Sequence, residues 1–490
     1  MKLFAIRGGI HPDYRKELSA GQAIVTLPMP KKLYIPLQQH AGGAALSVVA
    51  VGDHVKKGQL IAKPQGFISA AVHATTSGLV ADIVEFAAPH PSGLSQPTVI
   101  LEPDGKDEWA DLPTPLADPF TASAKDISDR VAAAGIVGLG GAAFPASVKL
   151  TLGMNNKLET LLLNGAECEP YLTCDDRVMR EYADEVIDGA RIMAHALGAP
   201  KIVVAIEQNK PQAVDRMVQA AKAFPNIEIA SVPVQYPMGS EKHLTQAITG
   251  LETPARKLTA DLGVVVHNVA TARAVHHAIR FGRPLLSRVV AVSGGAVAQP
   301  KNVEVPLGTL VSELVAFCGG LVGTPARLIN GGPMMGQPLP SLNVPVVKGT
   351  SGILALNAAE VNERPTSPCI RCGTCVTICP CGLVPVEMAS FIRKEKLEEA
   401  AKIGVMDCVS CGSCSYICPS HIPLVHYFNY AKGRLNALDR ERRKNEQTKT
   451  LVEARNARLE KLAEAKRIAA AAAAARKAQS ETPEESKAST

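Results

Sequence analysis

Two cysteine runs near the C-terminal end carry the clearest chemistry in this 490-residue chain. Each run has the spacing Cys-x2-Cys-x2-Cys-x3-Cys-Pro. Three thiolates at three-residue intervals can wrap three corners of an iron–sulfur cubane, and the fourth points towards the other cluster. The spacing predicts two [4Fe–4S] clusters, the first on Cys369, Cys372, Cys375 and Cys418, the second on Cys408, Cys411, Cys414 and Cys379.

A pair of zinc sites is the alternative, but zinc usually takes two separated Cys-x2-Cys pairs. Two further cysteines are interpreted as non-ligands: Cys381 as a spectator and Cys318 as a buried helix residue. We predict one helix between the runs, over Val386 to Lys402, and hence an α-helical ferredoxin unit. Twelve cysteines with eight in tight clusters indicate metal chemistry in a reducing cytosol, with one-electron relay as its use.

A glycine-rich segment, Gly135 to Lys149, is the second chemical candidate. Gly138, Gly140 and Gly141 would let backbone amides approach a flat or anionic ligand. Pro145 suits the first turn of a following helix, whose N-terminus would favour phosphate. A purely structural turn is the alternative.

Asn164, Glu167 and Glu169 follow directly after an apolar run, Thr160 to Asn164. Acidic and amide groups at the carboxyl end of a strand lie where α/β sheets place ligands. Two solvated loop charges are the alternative for the glutamates.

The remaining pattern indicates several domains. Short β-runs from Leu33 to Leu101 suggest a small all-β module similar to the barrel-sandwich fold of biotinyl and lipoyl carriers, through Val51 to Gln59. Gly66 to Ala70 lacks the lysine that such carriers need, so a structural role is favoured. From about Ala122 to Gly282, strands alternate with helices, one of them expected over Val178 to Leu197. This alternation predicts a largely parallel α/β sheet.

Charge and hydropathy exclude some classes of protein. From Ala431 onward 15 Lys/Arg face 9 Asp/Glu, so the tail carries the whole net charge of +6. With aromatic content at 4%, no nucleic-acid partner is expected. No secretory signal is expected at the start, and no run reaches the ~18–20 apolar residues needed to cross a membrane. The Ala-, Lys- and Glu-rich tail predicts a solvated, partly helical extension with disorder after Ser480.

The glycine-rich segment and the Asn164 to Arg177 segment look like the NADH- and FMN-binding signatures of the flavoprotein subunit of respiratory complex I. The whole ensemble resembles the RnfC family, one of the subunit families of the Rnf (Rsx) electron-transport complexes. That resemblance also includes Gly8 to Pro12, Asn330 to Gly336 and the two cysteine runs. Three features depart from the complex I pattern. Leu139 stands where arginine is usual, and Tyr171 stands where glycine is usual. The end of the Asn164 to Arg177 segment, which includes Cys174, is one residue longer than in that pattern.

The resemblance implies a multidomain chain that combines α/β and all-β modules. Its expected parts are an N-terminal segment (1–32), a barrel-sandwich module (33–105), a Rossmann-like NADH/FMN-binding domain (122–285), an SLBB-like β-grasp module (286–352), a double-cluster ferredoxin domain (365–432) and a charged Ala-rich tail (433–490). Carried over by residue, Gly138, Gly140, Gly141, Phe144 and Lys149 would line the nucleotide and flavin site. Asn164, Glu167 and Glu169 would face the flavin or nicotinamide, and Met238 to Lys242 would supply a further flavin loop.

The function implied is that of a peripheral subunit on the cytoplasmic face of the inner cell membrane, within an ion-translocating oxidoreductase complex. Its cofactors would be FMN and two [4Fe–4S] clusters, and its substrate NADH. It would pass electrons between NADH and ferredoxin or another acceptor, with integral-membrane and ferredoxin-type subunits as partners. No catalytic acid or base is expected. The alternative is an iron–sulfur relay and docking subunit without NADH or flavin chemistry of its own.

Overall fold

The computed structural model describes residues 2–154, 156–361 and 364–480. Its N-terminal part holds two small antiparallel sheets with strand orders β2-β8-β7-β4 and β3-β5-β6. The elements are α1 (Glu17–Ala20), β1 (Val25–Thr26), β2 (Leu33–Pro36), β3 (Leu46–Ser47), β4 (His54–Val55), β5 (Leu60–Lys63), β6 (Val72–His73), β7 (Gly78–Ala87) and β8 (Ser95–Pro103). Apolar side chains from both sheets, including Leu33, Ile61 and Val99, fill one shared core. The barrel-sandwich prediction is confirmed.

A parallel four-stranded sheet follows, in the order β11-β10-β9-β12. Its two central strands, β9 and β10, are mostly apolar because helices cover both faces of the sheet. The elements are α2 (Ala124–Ala133), α3 (Ala146–Leu150), β9 (Thr160–Gly165), α4 (Cys174–Glu181), α5 (Ala183–Leu197), β10 (Lys201–Glu207), α6 (Pro211–Ala221), β11 (Ile227–Val232), α7 (Glu241–Thr249), β12 (Val264–Asn268) and α8 (Val269–Phe281). The single helix expected over 178–197 is wrong, because the chain leaves helical geometry at Tyr182 (φ −128°, ψ 33°).

The third unit is a mixed six-stranded sheet in the order β1-β14-β13-β17-β15-β16. It contains β13 (Ser287–Ser293), β14 (Lys301–Pro306), α9 (Val311–Phe317), β15 (Arg327–Asn330), β16 (Gln337–Pro338) and β17 (Gly352–Leu356). The sheet extends past the expected 286–352 range in two places. Strand β17 continues to Leu356, and β1 from the N-terminal segment pairs in parallel with β14.

The cysteine-rich unit is helical, with α10 (Thr374–Thr377), α11 (Pro385–Ile392), α12 (Leu397–Lys402) and α13 (Ser413–Tyr416). Short 3₁₀ turns occur in several units, at Pro119–Thr121, Thr151–Met154, Thr259–Leu262 and Val405–Asp407. The single helix predicted between the cysteine runs is wrong, because the chain turns at Glu395 (φ +55°). The two shorter helices α11 and α12 then share one apolar core with Phe428.

Helix α14 (Leu424–Ser480) continues the chain for 57 residues. Its first turns pack on the cysteine-rich unit through Leu424, Phe428 and Ala431. Beyond Arg440 its described side chains are exposed, which agrees with a solvated helical tail. The disorder predicted after Ser480 concerns residues outside the described part of the chain. Among the described helices, none has a stretch both long and apolar enough to cross a bilayer.

Candidate functional site

The four cysteines assigned to the second cluster surround one buried cavity. Cys379, Cys408, Cys411 and Cys414 all line it. Three of them, Cys379, Cys411 and Cys414, are less than a tenth exposed. Gly412 (φ +79°) provides the left-handed turn that lets the loop fold around the cavity. Cys379 reaches this cavity from the first run, as the crossed ligand pattern requires.

The other four cysteines line a second cavity, which is more open to solvent. Cys369, Cys372, Cys375 and Cys418 contribute to its wall, with Cys418 arriving from the second run. Cys369 and Cys372 are exposed. Each predicted set of four thiols is therefore brought together, one buried and one near the surface. Their assignment as ligands stays a prediction.

Backbone amides point at the cysteine sulfurs in both loops. The Arg371 N–H donates to the Cys369 Sγ at 3.4 Å, and the Ser410 N–H donates to the Cys408 Sγ at 3.3 Å. Such donors stabilise negative charge on a cluster and, together with burial, set its reduction potential. Two cavities that differ in exposure therefore provide two different electrostatic environments.

The two remaining cysteines of interest differ in position. Cys318 is fully buried at the C-terminal end of α9, as expected. Cys381 lines the same cavity as the second-cluster thiols. Its role as a spectator stays a prediction.

A third cavity, of about 290 Å³, opens at the carboxyl ends of the parallel strands. We call it the front cavity. Four of the eight residues expected at the flavin site line it: Gly140, Asn164, Glu167 and Glu169. A Cβ on Gly140 would stand 3.4 Å from the Asn268 side chain. The glycine-rich loop thus lies close against the end of β12.

The other four expected residues do not line the front cavity. The Gly138 N–H donates to the Phe144 carbonyl at 2.7 Å, which closes the loop on itself. Gly141 lies on the exposed side of this loop. The Lys149 ammonium donates to the Glu241 carboxylate at 2.8 Å and to the Val266 carbonyl at 3.0 Å. Since Glu241 lines the cavity, Lys149 acts on it through that carboxylate.

The helix after Pro145 has only five residues, α3, and the helix that begins at the front cavity is α8. Asn268 is its N-cap: the Oδ1 accepts from the Ala270 N–H at 2.8 Å. Asn268 lies beside Asn164 in register on the neighbouring parallel strand. The Asn164 Nδ2 donates to the Gly239 carbonyl at 2.8 Å. Two amide side chains therefore stand side by side at the sheet edge.

The Glu167 and Glu169 carboxylates are held by backbone amides and are not free loop charges. Glu167 accepts from the Asp175 N–H at 2.7 Å, and Glu169 accepts from the Met335 N–H at 2.8 Å. The turn that carries both is fixed from behind by Lys16. The Lys16 ammonium donates to the carbonyls of Glu167 and Glu169 at 2.8 and 3.0 Å.

Burial changes the acid–base properties of this wall. It raises the pKa of Glu169 to about 7, although the backbone amides of Met334 and Met335, which both donate to this carboxylate, oppose the shift. Burial and the neighbouring Glu167 carboxylate also raise the pKa of Asp175. The side-chain atoms of Glu167, Cys174 and Asp175 that could bind a metal ion, two carboxylate oxygens and one Sγ, lie within 4.8 Å of one another. Near neutral pH the front cavity therefore carries less negative charge than its number of carboxyl groups suggests.

Sequence reasoning missed several residues of the front cavity, among them Asn268 and Tyr236. Asn268 is the last residue of strand β12, so the rule that singled out Asn164 could have found it. No local pattern distinguishes Tyr236. Gly239, Ser240 and Glu241, from the loop expected through the resemblance, also line the cavity.

The front cavity touches the buried cysteine cavity. Val409 and Cys411 from the second cysteine run contribute to its wall. The Tyr236 hydroxyl, which is fully buried, donates to the Cys411 carbonyl at 2.7 Å. A ligand in the front cavity would therefore lie next to the loop that surrounds the buried thiols.

The residues present fit FMN and two cubane clusters. Each cysteine cavity contains one predicted set of four thiols, as a [4Fe–4S] cluster needs, and the buried cavity contains Cys381 in addition. The front cavity combines a glycine backbone, two amide side chains and, through Asn268, the N-cap of a 13-residue helix. These groups can bind a polar ring system and a phosphate.

Four family models match the chain. They are the RnfC barrel sandwich hybrid domain over residues 4–106, the Nuo51 FMN-binding domain over 131–277, the SLBB domain over 289–338 and the 4Fe-4S dicluster domain over 368–422. The first two account for the N-terminal sheets and the parallel sheet, and the last for the cysteine runs.

The chain is similar over nearly its whole length to proteins named as the C subunits of two complexes. It is 56% identical over 447 residues to that of the ion-translocating oxidoreductase complex of Rhodobacter capsulatus, covering 91% of this chain and 86% of that protein. It is 44% identical over 445 residues to that of the proton-translocating ferredoxin:NAD(+) oxidoreductase complex of Clostridium ljungdahlii, covering 90% of this chain and 96% of that protein.

Proposed function

Because the chain belongs to the RnfC family of ion-translocating oxidoreductase complexes, we propose that it passes electrons between NADH and ferredoxin or another acceptor through FMN and two [4Fe–4S] clusters. As a member of this family it is an electron-transfer subunit with an FMN-binding domain and a 4Fe–4S dicluster domain. The other subunits of the complex are its partners.

In this proposal the front cavity is the site where FMN and NADH meet. Bound FMN would supply the conversion between two-electron hydride transfer and single-electron steps. Gly140 and the paired amides of Asn164 and Asn268 would bind and orient it, because they meet at one edge of the sheet. Glu169, with a pKa of about 7, would adjust the charge beside it.

One observation supports the proposal most strongly: Cys411 belongs to the walls of both the front cavity and the buried cysteine cavity. The buried cluster would therefore lie closer to the flavin than the surface cluster would. The surface set, with Cys369 and Cys372 exposed, would exchange electrons with a partner subunit. Electrons would therefore pass from the front cavity to the buried cluster and then to the exposed one.

We further propose that the protein lies peripherally on the cytoplasmic face of the inner membrane. NADH is available on that side, and the exposed cysteine set needs a partner there. Helix α14 is rich in Lys and Arg, and each basic residue close to anionic lipid contributes about 1 kcal/mol of attraction.

The test is an anaerobic NADH titration of the purified chain carrying FMN and reconstituted clusters, followed by visible absorbance and EPR. Flavin bleaching followed by reduced-cluster signals is the expected result. If dithionite reduces the clusters while FMN does not bind and NADH has no effect, the proposal fails. The chain would then be a relay and docking protein.

A further inference from the structure

A fourth cavity, of about 220 Å³, lies on the other side of the glycine-rich loop. We call it the rear cavity. It is bordered by three units: the barrel-sandwich module with the segment after it, helix α8 and strands β13 and β14. Its polar wall includes Lys57, Trp109, Arg273, Arg283, Arg288 and Glu304.

The charge of this wall is strongly positive. Four of these lining residues are cationic and one, Glu304, is acidic. Two of the cations have carboxylate partners: Lys57 donates to Asp107 at 2.6 Å, and Arg273 donates to Glu185 at 2.8 Å. For Arg283 and Arg288, no carboxylate of the described residues lies within ion-pair distance. Two guanidinium groups that line this cavity thus have no ion-pair partner among the described residues.

Arg288 is the more unusual of the two because it is only 5% exposed. Its guanidinium donates to the backbone carbonyls of Lys348 and Leu139, the latter at 3.2 Å. Its Nε has no hydrogen-bond partner among the described residues. A buried cation is costly unless it is paired. An anion in the cavity would offset that cost.

Arg283 lies exposed at the mouth of the rear cavity, next to Trp109. The Arg283 guanidinium is 5.6 Å from the centroid of the Trp109 ring, and the Lys57 ammonium is 4.8 Å from it. Cation–π contacts of this kind hold charged side chains in place. Lys57 and Arg283 are therefore positioned together beside one aromatic ring.

Leu139 connects the rear cavity with the front cavity, since it lines both. Its N–H donates to the Thr271 hydroxyl at 2.9 Å, and its carbonyl accepts from Arg288. Leu139 is also the position where arginine is usual in the complex I pattern. Here Arg288 brings a positive charge to the loop from behind.

We propose that the rear cavity binds a small phosphate-bearing anion, held by Arg283 and Lys57 at the mouth and by the field of Arg288 below. Its volume of about 220 Å³ is smaller than that of the front cavity and suits a ligand of phosphate or pyrophosphate size. Because Leu139 borders both cavities, the anion stabilises the glycine-rich loop from behind. This inference does not depend on NADH oxidation.

The test uses inorganic pyrophosphate as the probe, titrated at low ionic strength into the full chain loaded with FMN and clusters. Calorimetry measures binding, and fluorescence reports on the site because Trp109 is the chain's single tryptophan. We expect saturable binding with a change in Trp109 emission. Arg283→Gln should weaken it at least tenfold. Arg442→Gln, an exposed arginine of α14, serves as the matched control and should leave it unchanged.

Three results would overturn the proposal: no saturable binding, binding without a change in Trp109 emission, or equal affinity in Arg283→Gln. Loss of pyrophosphate binding when NADH is added would place the anion in the front cavity and would also refute it. A second titration uses AMP in place of pyrophosphate to distinguish two sources of the anion. Tighter binding of AMP would indicate a phosphate carried by a nucleotide. AMP binding no tighter than pyrophosphate would indicate free phosphate. The outcome is independent of the NADH titration, because neither flavin bleaching nor cluster reduction is measured.

Discussion

The Tyr236 hydroxyl donates a 2.7 Å hydrogen bond to the Cys411 backbone carbonyl. Tyr236 lines the front cavity, and Cys411 lines both that cavity and the buried cysteine cavity. The bond thus joins the loop between β11 and α7 to a loop of the cysteine-rich unit. It fixes the spacing over which electrons would pass between the proposed flavin site and the buried cluster.

Tyr236→Phe should therefore lower both stability and the rate of electron transfer. The Cys411 carbonyl would lose its buried donor, which costs ~1–3 kcal/mol in the free energy of unfolding. We expect slower cluster reduction after NADH mixing, followed by stopped-flow absorbance, with flavin reduction unchanged. Tyr430→Phe removes an exposed hydroxyl that contacts Glu395 and serves as the control. Equal cluster-reduction rates in wild type and Tyr236→Phe would contradict the role.

Exchange of single cysteines tests the crossed ligand sets. Cys418→Ser should abolish the signal of the surface cluster, although Cys418 belongs to the second run. Cys379→Ser should abolish the signal of the buried cluster. In each variant iron content should fall by about half, because each cubane needs four thiolates. Iron analysis and EPR measure this. Cys381→Ser should retain both clusters, and loss of a cluster there would show that Cys381 is not a spectator.

Glu169 should make NADH binding depend on pH. Its carboxyl is neutral below its pKa of about 7 and negatively charged above it, so anionic NADH should bind more weakly as pH rises. The KM for NADH should increase between about pH 6 and about pH 8. Glu169→Gln, which is neutral throughout, should remove most of this increase. The raised pKa also means that this group's contribution to stability declines as pH rises from 4.5 to about 7.

Asn268 can be tested for capping and flavin binding separately. Asn268→Ala removes the N-cap of α8 and should cost ~0.5–2 kcal/mol in the free energy of unfolding. Asn268→Ser keeps a capping oxygen and should restore most of that stability. Both variants lack the amide, so both should bind FMN more weakly, measured by flavin fluorescence. Full FMN affinity in Asn268→Ser would limit Asn268 to a structural role.

Lys348 should stabilise the contact between the barrel-sandwich module and the α/β domain. Its buried ammonium donates to the Ala71 carbonyl at 2.6 Å and the Gly135 carbonyl at 2.7 Å. Lys348→Met leaves both acceptors without this donor, at a cost of ~1–3 kcal/mol for each. Chemical denaturation measures the loss, and Lys222→Met, at an exposed lysine, is the control.

Burial also lowers the pKa of Lys348 to about 7. The unfolded chain therefore binds more protons than the folded chain between about pH 7 and the ordinary lysine value of 10.5. The stability difference between wild type and Lys348→Met should grow in favour of wild type as pH rises through this window. A constant difference would mean that Lys348 keeps its ordinary pKa in the folded protein.

Several features followed from the sequence alone because they depend on local spacing. Cysteines three residues apart on a tight loop can serve one cluster in almost any surrounding, so the two runs indicated their chemistry directly. Apolar strands alternating with helices predicted the parallel sheet, since buried parallel strands are continuous apolar runs. The family was recognised from motifs such as Asn164 to Pro170, and the similarity to RnfC proteins confirms it.

Tertiary structure decided which of these residues meet. Asn268 joins Asn164 only because β12 and β9 are neighbours in the sheet, although more than a hundred residues separate them. Lys149, expected in the flavin site, instead pairs with Glu241, because long-range packing places that carboxylate between it and the cavity. The contact between Tyr236 and Cys411 also joins distant segments. Local spacing specifies a motif, but the packing of separate domains determines what it faces.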